Sequence, residues 1–137
     1  MGGGNLPLVS VIIVSWNRKN DLKECLLELQ KNSYPNVEII VVDNASSDGT
    51  AKMVKEIFLD VRVVELFQNT GIAGFNRGFE VAKGKYVVVL DDDSILDANA
   101  IQRMVKIFEN EPQNIGAIAF RYFECSLKRF TNEDWPK

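Results

Sequence analysis

Short runs of β-branched and apolar residues recur along the chain. Three runs are almost continuously apolar, which is typical of strands covered on both faces, and they span residues 9–14, 37–42 and 86–90. A fourth run, residues 61–66, alternates more and predicts a strand near the sheet edge. A fifth, residues 115–120, follows the turn around Pro112 and also predicts a strand.

The segments between these runs have the period of amphipathic helices. Their apolar faces carry Leu22, Cys25, Leu26 and Leu29; Met53, Val54 and Ile57; and Ile101, Met104, Val105 and Phe108. Asp21 and Asp97 are predicted N-caps, and residues 46–50 combine a turn with cap candidates. Alternating strands and helices require right-handed crossovers and a mainly parallel sheet with helices on both faces. The predicted fold class is therefore doubly wound α/β, in a single domain of residues 8–137.

Charge and hydropathy limit the binding partners and the cellular location that the sequence predicts for the protein. The 137-residue chain has a net charge of −3 with its basic residues scattered, so no nucleic-acid surface is predicted. It contains no apolar run of the roughly 18 residues that a membrane span needs and no signal peptide, which predicts a cytoplasmic protein. Residues 1–7 are expected to be a disordered leader or an expression remnant.

The numbers of cysteine and histidine residues limit the kinds of catalysis and metal binding that the chain can perform. Cys25 and Cys125 lie far apart and are expected to be reduced packing residues. The chain has no histidine, which removes histidine acid–base catalysis, Ser-His-Asp triads and most transition-metal sites. Any catalysis must therefore use carboxylates, backbone amides and a hard metal ion.

Polar side chains follow three of the predicted strands. Ligands of such sheets bind outside the carboxyl ends of the strands, near the point where strand order reverses, so these side chains form the candidate site. They are Ser15, Trp16, Asn17 and Arg18; Asp43 and Asn44; and Asp91, Asp92, Asp93 and Ser94. Ordinary turn chemistry is the alternative, and it is the preferred interpretation for residues 46–48.

The acidic run 91–93 differs from ordinary turn residues. Three consecutive carboxylates after a buried strand raise one another's pKa unless a cation lies among them. If strand geometry continues, Asp91 and Asp93 point the same way and can share one divalent ion. Oxygen ligands suit Mg²⁺ or Mn²⁺, which take further ligands from water and a diphosphate. The alternative is a solvated acidic loop that caps the next helix.

Other residues suit a nucleotide. No phosphate-binding glycine motif follows the first strand, where Trp16 can instead stack on a base or cover the sheet end. Asp43 can accept the imide N–H of uracil or thymine, or cap the following helix. Segment 69–78 is rich in small residues, which allow close approach of a ligand or of the sheet. Its only cation, Arg77, can reach a phosphate or remain solvated.

Taken in order, these segments resemble the family 2 glycosyltransferases. The matching motifs are Ser15-Trp16-Asn17-Arg18, Val41-Val42-Asp43-Asn44-Ala45-Ser46-Ser47-Asp48-Gly49-Thr50, Asn69-Thr70-Gly71, Asn76-Arg77-Gly78 and Asp91-Asp92-Asp93. The resemblance covers residues 8 to about 120. It implies a GT-A fold and sugar transfer from a nucleoside diphosphate sugar, with inversion at the anomeric carbon.

The resemblance also implies roles for individual residues. Asp43 is expected to face the base, Trp16 the base or ribose, and the acidic run the metal and diphosphate. The implied nucleotide-sugar site comprises Ser15, Trp16, Asn17, Asp43, Asn76, Arg77, Asp91 and Asp92, and the implied ligands of Mg²⁺ or Mn²⁺ are Asp91 and Asp93. A uridine or thymidine diphosphate sugar is the favoured donor, and residues 71–78 are most similar to members that transfer rhamnose or galactofuranose.

The acceptor is less defined by the sequence. The resemblance implies a glycan or lipid-linked acceptor, which would bring a cytoplasmic protein to the inner face of the membrane. In the family the catalytic base is a carboxylate on a later segment, so it is expected outside this chain, and Glu133-Asp134 comes too early to be part of the site. The chain also departs from the family pattern at Phe75, because many members carry an arginine at this position.

Two other functions are compatible with parts of the sequence. A module that binds a nucleotide sugar without transferring it would need the same residues, and detectable transfer would reject it. A Mg²⁺-dependent phosphoacceptor domain also gathers acidic residues at strand ends, but it needs an acidic pair after the first strand and a lysine after the fifth. Ser15-Trp16 and Arg121-Tyr122 stand there instead. An exposed sheet edge would favour a homo-oligomer.

Overall fold

The computed structural model describes residues 5–111, 115–121, 123–124 and 129–130. Four strands form a parallel sheet, and they are β1 (Val9–Ser15), β2 (Val37–Asp43), β3 (Arg62–Glu65) and β4 (Tyr86–Asp91). The helices are α1 (Lys19–Leu29), α2 (Thr50–Ile57), α3 (Gly74–Val81), which a 3-10 turn at Gly71–Ala73 precedes, and α4 (Ala100–Asn110). Two short antiparallel strands, β5 (Phe123–Glu124) and β6 (Arg129–Phe130), pair with each other. The predicted doubly wound α/β fold is confirmed.

The strand order of the sheet is β3-β2-β1-β4. The chain builds outward from β1 through β2 to β3 and then returns to the other side of β1, so strand order reverses between β1 and β4. Phosphoacceptor domains of the flavodoxin-like type have the order 2-1-3-4-5 instead. The topology therefore contradicts the phosphoacceptor alternative and directs attention to the carboxyl ends of β1 and β4.

Helices cover the two faces of the sheet unequally. α1, α2 and α4 pack on one face over the larger core, which includes Val11, Ile13, Leu22, Val54 and Ile101. α3 packs against β1 and β2 on the other face, over Ile12, Ile40 and Val42. Because α3 does not extend over β4, Val87 and Val89 on that face are exposed. The prediction that this strand is covered on both faces is therefore wrong, whereas the prediction that residues 61–66 form an edge strand is confirmed.

The predicted helix faces are confirmed with one exception, since Ile57 is exposed. The predicted N-caps are wrong. Asp21 lies within the first turn of α1, which begins at Lys19 with Arg18 at the cap position. Asp97 instead accepts a hydrogen bond from the Asn99 backbone N–H in the turn before α4. None of the helices in the described ranges combines the length and hydropathy needed to cross a membrane.

Two segment predictions fail at the ends of the domain. Residues 115–121 contain no strand, although Ile118 and Phe120 pack against the larger core. Residues 6 and 7, assigned to the leader, belong to the folded chain, because Leu6 packs against the same core and the Pro7 carbonyl oxygen accepts a hydrogen bond from the Tyr34 hydroxyl. Residues 1–4 of the leader and Cys125 lie outside the described residues, whereas Cys25 is free and buried as predicted.

Candidate functional site

The strand ends meet at one edge of the sheet. Ser15 of β1 is in register with Asp43 of β2, and Val14 of β1 is in register with Asp91 of β4. The sheet therefore brings the three predicted polar groups together at the carboxyl edge, where strand order reverses. This is the location at which open α/β sheets bind their ligands.

The acidic segment forms a turn. β4 ends at Asp91, and the Ser94 backbone N–H donates to the Asp91 carbonyl oxygen at 3.1 Å. Continued strand geometry is therefore the wrong reason to group Asp91 with Asp93, because the chain folds back to enter the next segment. Both residues are nevertheless exposed, and Asp92 between them is buried. The turn presents two carboxylates to solvent and directs the third inward.

The buried carboxylate is held from β1. The Ser15 hydroxyl donates to Asp92 Oδ2 at 2.8 Å. Burial raises the pKa of the Asp92 carboxyl above its ordinary value, while the Ser15 hydrogen bond and the positive charge of Arg18 act in the opposite direction. Ser15 and Asp92 thus fix the acidic turn against the end of the neighbouring strand.

Arg18 is one of the candidate polar side chains after β1, although it is absent from the implied nucleotide-sugar and metal-binding residues. Its Nη1 lies 3.3 Å from Asp93 Oδ2 and 3.6 Å from Asp21 Oδ2. A cation was expected among the crowded carboxylates, and Arg18 supplies part of that charge. Beneath the turn, burial raises the pKa of the Cys25 thiol to about 12, with Asp92 and Asp93 adding to the shift. The thiol is therefore a packing group, as predicted.

The Asp43 carboxylate accepts one hydrogen bond within its own turn, through only one of its two oxygens. Its side chain is only 5% exposed, and its Oδ1 accepts a hydrogen bond from the Ser46 backbone N–H at 3.2 Å. No hydrogen bond from a described residue reaches Oδ2. A buried carboxylate oxygen normally has a donor, so Oδ2 is suited to an N–H group of a ligand. The adjacent Trp16 ring is 52% exposed and accessible.

Two loops at this edge are tied together by side chains. The Asn17 backbone N–H donates to Ser46 Oγ at 2.9 Å, and Asn17 Oδ1 accepts from the Ser47 backbone N–H at 2.7 Å. Asn17 adopts φ +51°, which asparagine tolerates better than most residues. Asp48 completes the connection, since its Oδ2 accepts from the Lys19 backbone N–H at 3.0 Å. Asn17 and Asp48 therefore position the β1–α1 loop that carries Trp16.

The Asp48 contacts predict a pH-dependent stability. Burial alone would raise the pKa of the Asp48 carboxyl, but hydrogen bonds from Thr50 and Lys19 outweigh it and hold the pKa below its ordinary value of 3.8. A depressed folded-state pKa contributes stability that is present above the ordinary pKa and lost as the pH falls through the folded-state pKa. Asp48→Asn should therefore cost about 1–2 kcal/mol at neutral pH.

Urea unfolding of the original chain and of Asp48→Asn at about pH 7 and about pH 3 measures this contribution. The difference in unfolding free energy should shrink at the lower pH. The conservative control Ser47→Ala removes an exposed hydroxyl of the same loop and should change stability by less than about 0.5 kcal/mol at either pH. An Asp48→Asn difference that does not vary with pH would contradict the assignment.

Asn44 is the second candidate polar residue that is absent from the implied nucleotide-sugar and metal-binding residues. Its buried side chain accepts from the Thr70 backbone N–H at 2.8 Å and donates to the Gly71 carbonyl oxygen at 3.0 Å. These bonds fix the Asn69–Gly71 loop to the end of β2. The family motif contained both segments, but only the structure reveals that one holds the other.

Helix α3 lies close to the sheet through its glycines. A Cβ on Gly74 would lie 3.1 Å from Val14 Cγ1, and a Cβ on Gly78 would lie 2.4 Å from Ile12 Cγ2. Phe75 is a packing residue that stacks on Phe79 at 6.4 Å and contacts the smaller core. It leaves no charge at the position where an arginine was expected.

Asn76 and Arg77 lie on the exposed side of α3. The Arg77 Nη1 pairs with Glu80 Oε2 at 2.8 Å. Among the described residues, no hydrogen bond or ion pair joins Asn76 or Arg77 to the strand-end cluster. Their contribution to ligand binding therefore stays a prediction.

The exposed acidic turn is chemically suited to a divalent cation. The carboxylates of Asp91 and Asp93 offer hard oxygen donors. In the described part of the chain, no cluster of three or more potential ligands among His, Cys, Asp and Glu is present, so the protein would supply only part of the coordination. Mg²⁺ sites commonly use one or two protein carboxylates and complete the coordination with substrate phosphates and water. The donor set therefore fits Mg²⁺ or Mn²⁺ bound together with a diphosphate.

The chain belongs to glycosyl transferase family 2, whose sequence profile matches residues 10–136. Glycosyltransferase GlyG of Streptococcus pneumoniae serotype 4 is 30% identical over 112 residues, which cover 79% of this chain and 37% of that protein. Poly-β-1,6-N-acetyl-D-glucosamine synthase of Staphylococcus epidermidis is 31% identical over 113 residues, which cover 80% of this chain and 27% of that protein. The chain thus spans less than half the length of these relatives.

Solved structures agree on the fold. The mannosyltransferase PcManGT from Pyrobaculum calidifontis, in complex with GDP-Man and Mn²⁺, has a TM-score of 0.72 and 30% identity over 79% of this chain and 34% of its own. S. aureus TarS 1–349 in complex with UDP-GlcNAc has a TM-score of 0.69 and 25% identity over 74% of this chain and 31% of its own. The fold is therefore GT-A, of which the chain covers about a third of the length of these two structures, and the family prediction is confirmed.

Proposed function

We propose that the chain is the donor-binding part of an inverting glycosyltransferase, which binds a nucleoside diphosphate sugar with Mg²⁺ or Mn²⁺ for transfer of the sugar to a hydroxyl. The observation that carries this proposal is the grouping of Trp16, Asp43 and the acidic turn at the point where strand order reverses. An aromatic ring and a carboxylate suit a base, and the acidic turn suits a metal with a diphosphate. Binding of GDP-Man and of UDP-GlcNAc by two related enzymes supports the ligand class.

The reaction sets two demands on the protein. The acceptor oxygen attacks the anomeric carbon from the side opposite the diphosphate, the bond to the diphosphate breaks, and the configuration inverts. A divalent cation held by Asp91 and Asp93 would supply neutralisation of the charge that develops on the departing diphosphate. The second demand is a base for the acceptor proton, and no described residue is assigned to it. The described site therefore accounts for the donor half of the chemistry.

Several side chains prepare the donor site. Ser15 and Asp92 hold the acidic turn in place, and Asn17 positions the loop that carries Trp16. Direct contact of these three with the donor stays a prediction. The exposed ion pair of Arg77 with Glu80 is worth at most about 1 kcal/mol, so Arg77 can exchange Glu80 for a phosphate at little cost.

The Asp43 carboxylate favours uridine or thymidine diphosphates. Its Oδ1 already accepts the Ser46 backbone N–H, and Oδ2 is the oxygen without a donor among the described residues. Uracil and thymine present a single imide N–H, whereas guanine presents two adjacent donors that match a carboxylate with both oxygens available. We therefore assign UDP or dTDP sugars as donors ahead of GDP sugars.

Removal of this carboxylate should separate base recognition from diphosphate binding. Asp43→Ala is expected to weaken UDP binding about tenfold or more in Mn²⁺, because a charged hydrogen bond is lost. Inorganic pyrophosphate, which has no base, should bind as before. Isothermal titration calorimetry measures both affinities. The control is Asp60→Ala, because Asp60 is exposed and follows the carboxyl-terminal end of α2, whereas Asp43 precedes the amino-terminal end of that helix. Equal losses for UDP and pyrophosphate would leave Asp43 with a turn role only.

Transfer itself requires a separate test. A glycosyltransferase releases UDP from a UDP-sugar in a reaction that depends on Mn²⁺ and on an acceptor, whereas a module that only holds the donor does not. Detectable transfer by the chain would reject the binding-module alternative. Donor binding by this chain without release of UDP is expected under both functions, because the catalytic base is expected outside the chain.

A further inference from the structure

We propose that Phe67 is the second aromatic wall of the base pocket, so that the nucleobase stacks between Trp16 and Phe67 while its edge faces Asp43. The inference rests on the proposed function, because it concerns the same donor site. Phe67 lies in none of the segments that carry the family motifs. Its role is therefore argued from its position on the sheet.

Strand register places Phe67 beside Asp43. Asp43 of β2 is in register with Ser15 on one side and with Glu65 of β3 on the other. The Leu66 backbone N–H donates to the Asp43 carbonyl oxygen at 2.9 Å, which extends the pairing by one residue. Phe67 comes next on the β3 side, two positions beyond Glu65, whereas Trp16 lies one position beyond Ser15 on the β1 side. The two aromatic residues thus flank the strand that ends in Asp43.

The spacing suits a planar base. Neighbouring strands lie about 4.8 Å apart, so the backbones that carry Trp16 and Phe67 are separated by roughly 10 Å. A base in contact with a ring on each face needs about 7–8 Å between the rings, since carbon atoms in contact are about 3.5–4.0 Å apart. Side chains that lean slightly toward each other therefore enclose a base. A pair on adjacent strands would be too close for this arrangement.

The exposure of Phe67 is unexplained by packing. Its relative accessibility is 106%, so no part of the ring is covered, whereas the preceding Leu66 packs against the smaller core. The loop is nevertheless anchored, because Asn44 holds Thr70 and Gly71 a few residues further on. An anchored loop thus presents an uncovered aromatic ring beside the buried carboxylate of Asp43, whose Oδ2 has no donor among the described residues.

Stacking and edge recognition have different consequences. Every base has an aromatic face, so stacking strengthens binding without selecting one base. A carboxylate instead selects by the donors on the base edge. Phe67 is therefore expected to increase the affinity for UDP, dTDP and GDP alike, whereas Asp43 discriminates among them. This difference separates the two residues experimentally.

Calorimetric titration of Phe67→Ala with nucleotides in Mn²⁺ tests the inference. Loss of stacking should weaken UDP and dTDP binding about five- to fiftyfold and leave inorganic pyrophosphate binding unchanged. Phe67→Tyr keeps the ring and should bind UDP as the original chain does. Leu59→Ala, which removes another exposed apolar side chain beyond the amino-terminal end of β3, is the matched control and should have no effect.

The outcomes distinguish this inference from the proposed function. UDP affinity in Phe67→Ala equal to that of the original chain, or an equal loss for UDP and pyrophosphate, would overturn the role of Phe67 and leave the donor site standing. A failure of the original chain to bind any nucleotide would overturn the proposed function itself.

Discussion

Replacement of Asp91 or Asp93 by asparagine is expected to abolish Mn²⁺-dependent binding of UDP, with at least a hundredfold loss of affinity, and to leave the fold intact. The loss of affinity follows because each substitution removes a negatively charged oxygen ligand of a hard cation. Both side chains are exposed, so the core is untouched. Asp93 also gives up its exposed pairing with Arg18, which is worth about 1 kcal/mol at most.

Calorimetry with UDP in Mn²⁺ and in EDTA measures the metal-dependent part, and urea unfolding verifies that the variants remain folded. Asp60→Asn removes an exposed carboxylate beyond the opposite edge of the sheet and should bind UDP normally. If both Asp91→Asn and Asp93→Asn retain the original Mn²⁺-dependent affinity, the acidic turn does not hold the metal.

Gly78→Ala is expected to destabilise the chain by about 1–2 kcal/mol. The added Cβ would lie 2.4 Å from Cγ2 of Ile12, which is fully buried in the middle of β1. Overpacking of this kind typically costs about 1–3 kcal/mol, and the very short contact indicates the upper part of that range. Alanine regains about 1 kcal/mol of helix propensity, so the steric cost wins.

Urea unfolding gives the free energy for this comparison. Gly116→Ala is the control, since a Cβ there would meet nothing within 4 Å, and it should change stability little. A Gly78→Ala variant more stable than the original chain would mean that helix propensity dominates and that α3 does not need this close approach to the sheet. A displaced α3 should also weaken nucleotide binding, because the helix adjoins the Asn69–Gly71 loop.

The regular elements were largely predictable because burial imposes a period on the sequence. β1 and β2 are central strands and read as continuous apolar runs, and α1 and α4 display their buried faces. The run at residues 115–120 reads the same way, yet it forms no strand. A strand needs a neighbour for its backbone hydrogen bonds as well as apolar side chains, and the sequence pattern reports only the side chains.

The site was predictable at the strand ends and unpredictable in its supporting contacts. Parallel strands end at one edge, so Ser15, Asp43 and Asp91 could be grouped from their positions alone. The link from Arg18 to Asp93 joins residues 75 positions apart, and the bonds from Asn44 to residues 70 and 71 span 26 and 27 positions. No local pattern encodes such pairs. For the same reason, the sequence placed Arg18 and Asn44 at the strand ends but did not predict which residues they hold.

Titration of the chain with UDP, dTDP and GDP, each in Mn²⁺ and in EDTA, tests the central claim most directly. The proposed function predicts that UDP or dTDP binds in Mn²⁺, that GDP binds more weakly, and that EDTA abolishes binding. Absence of binding by all three nucleotides in Mn²⁺, or binding that EDTA leaves unchanged, would contradict the assignment of this sheet edge as a metal-dependent donor site.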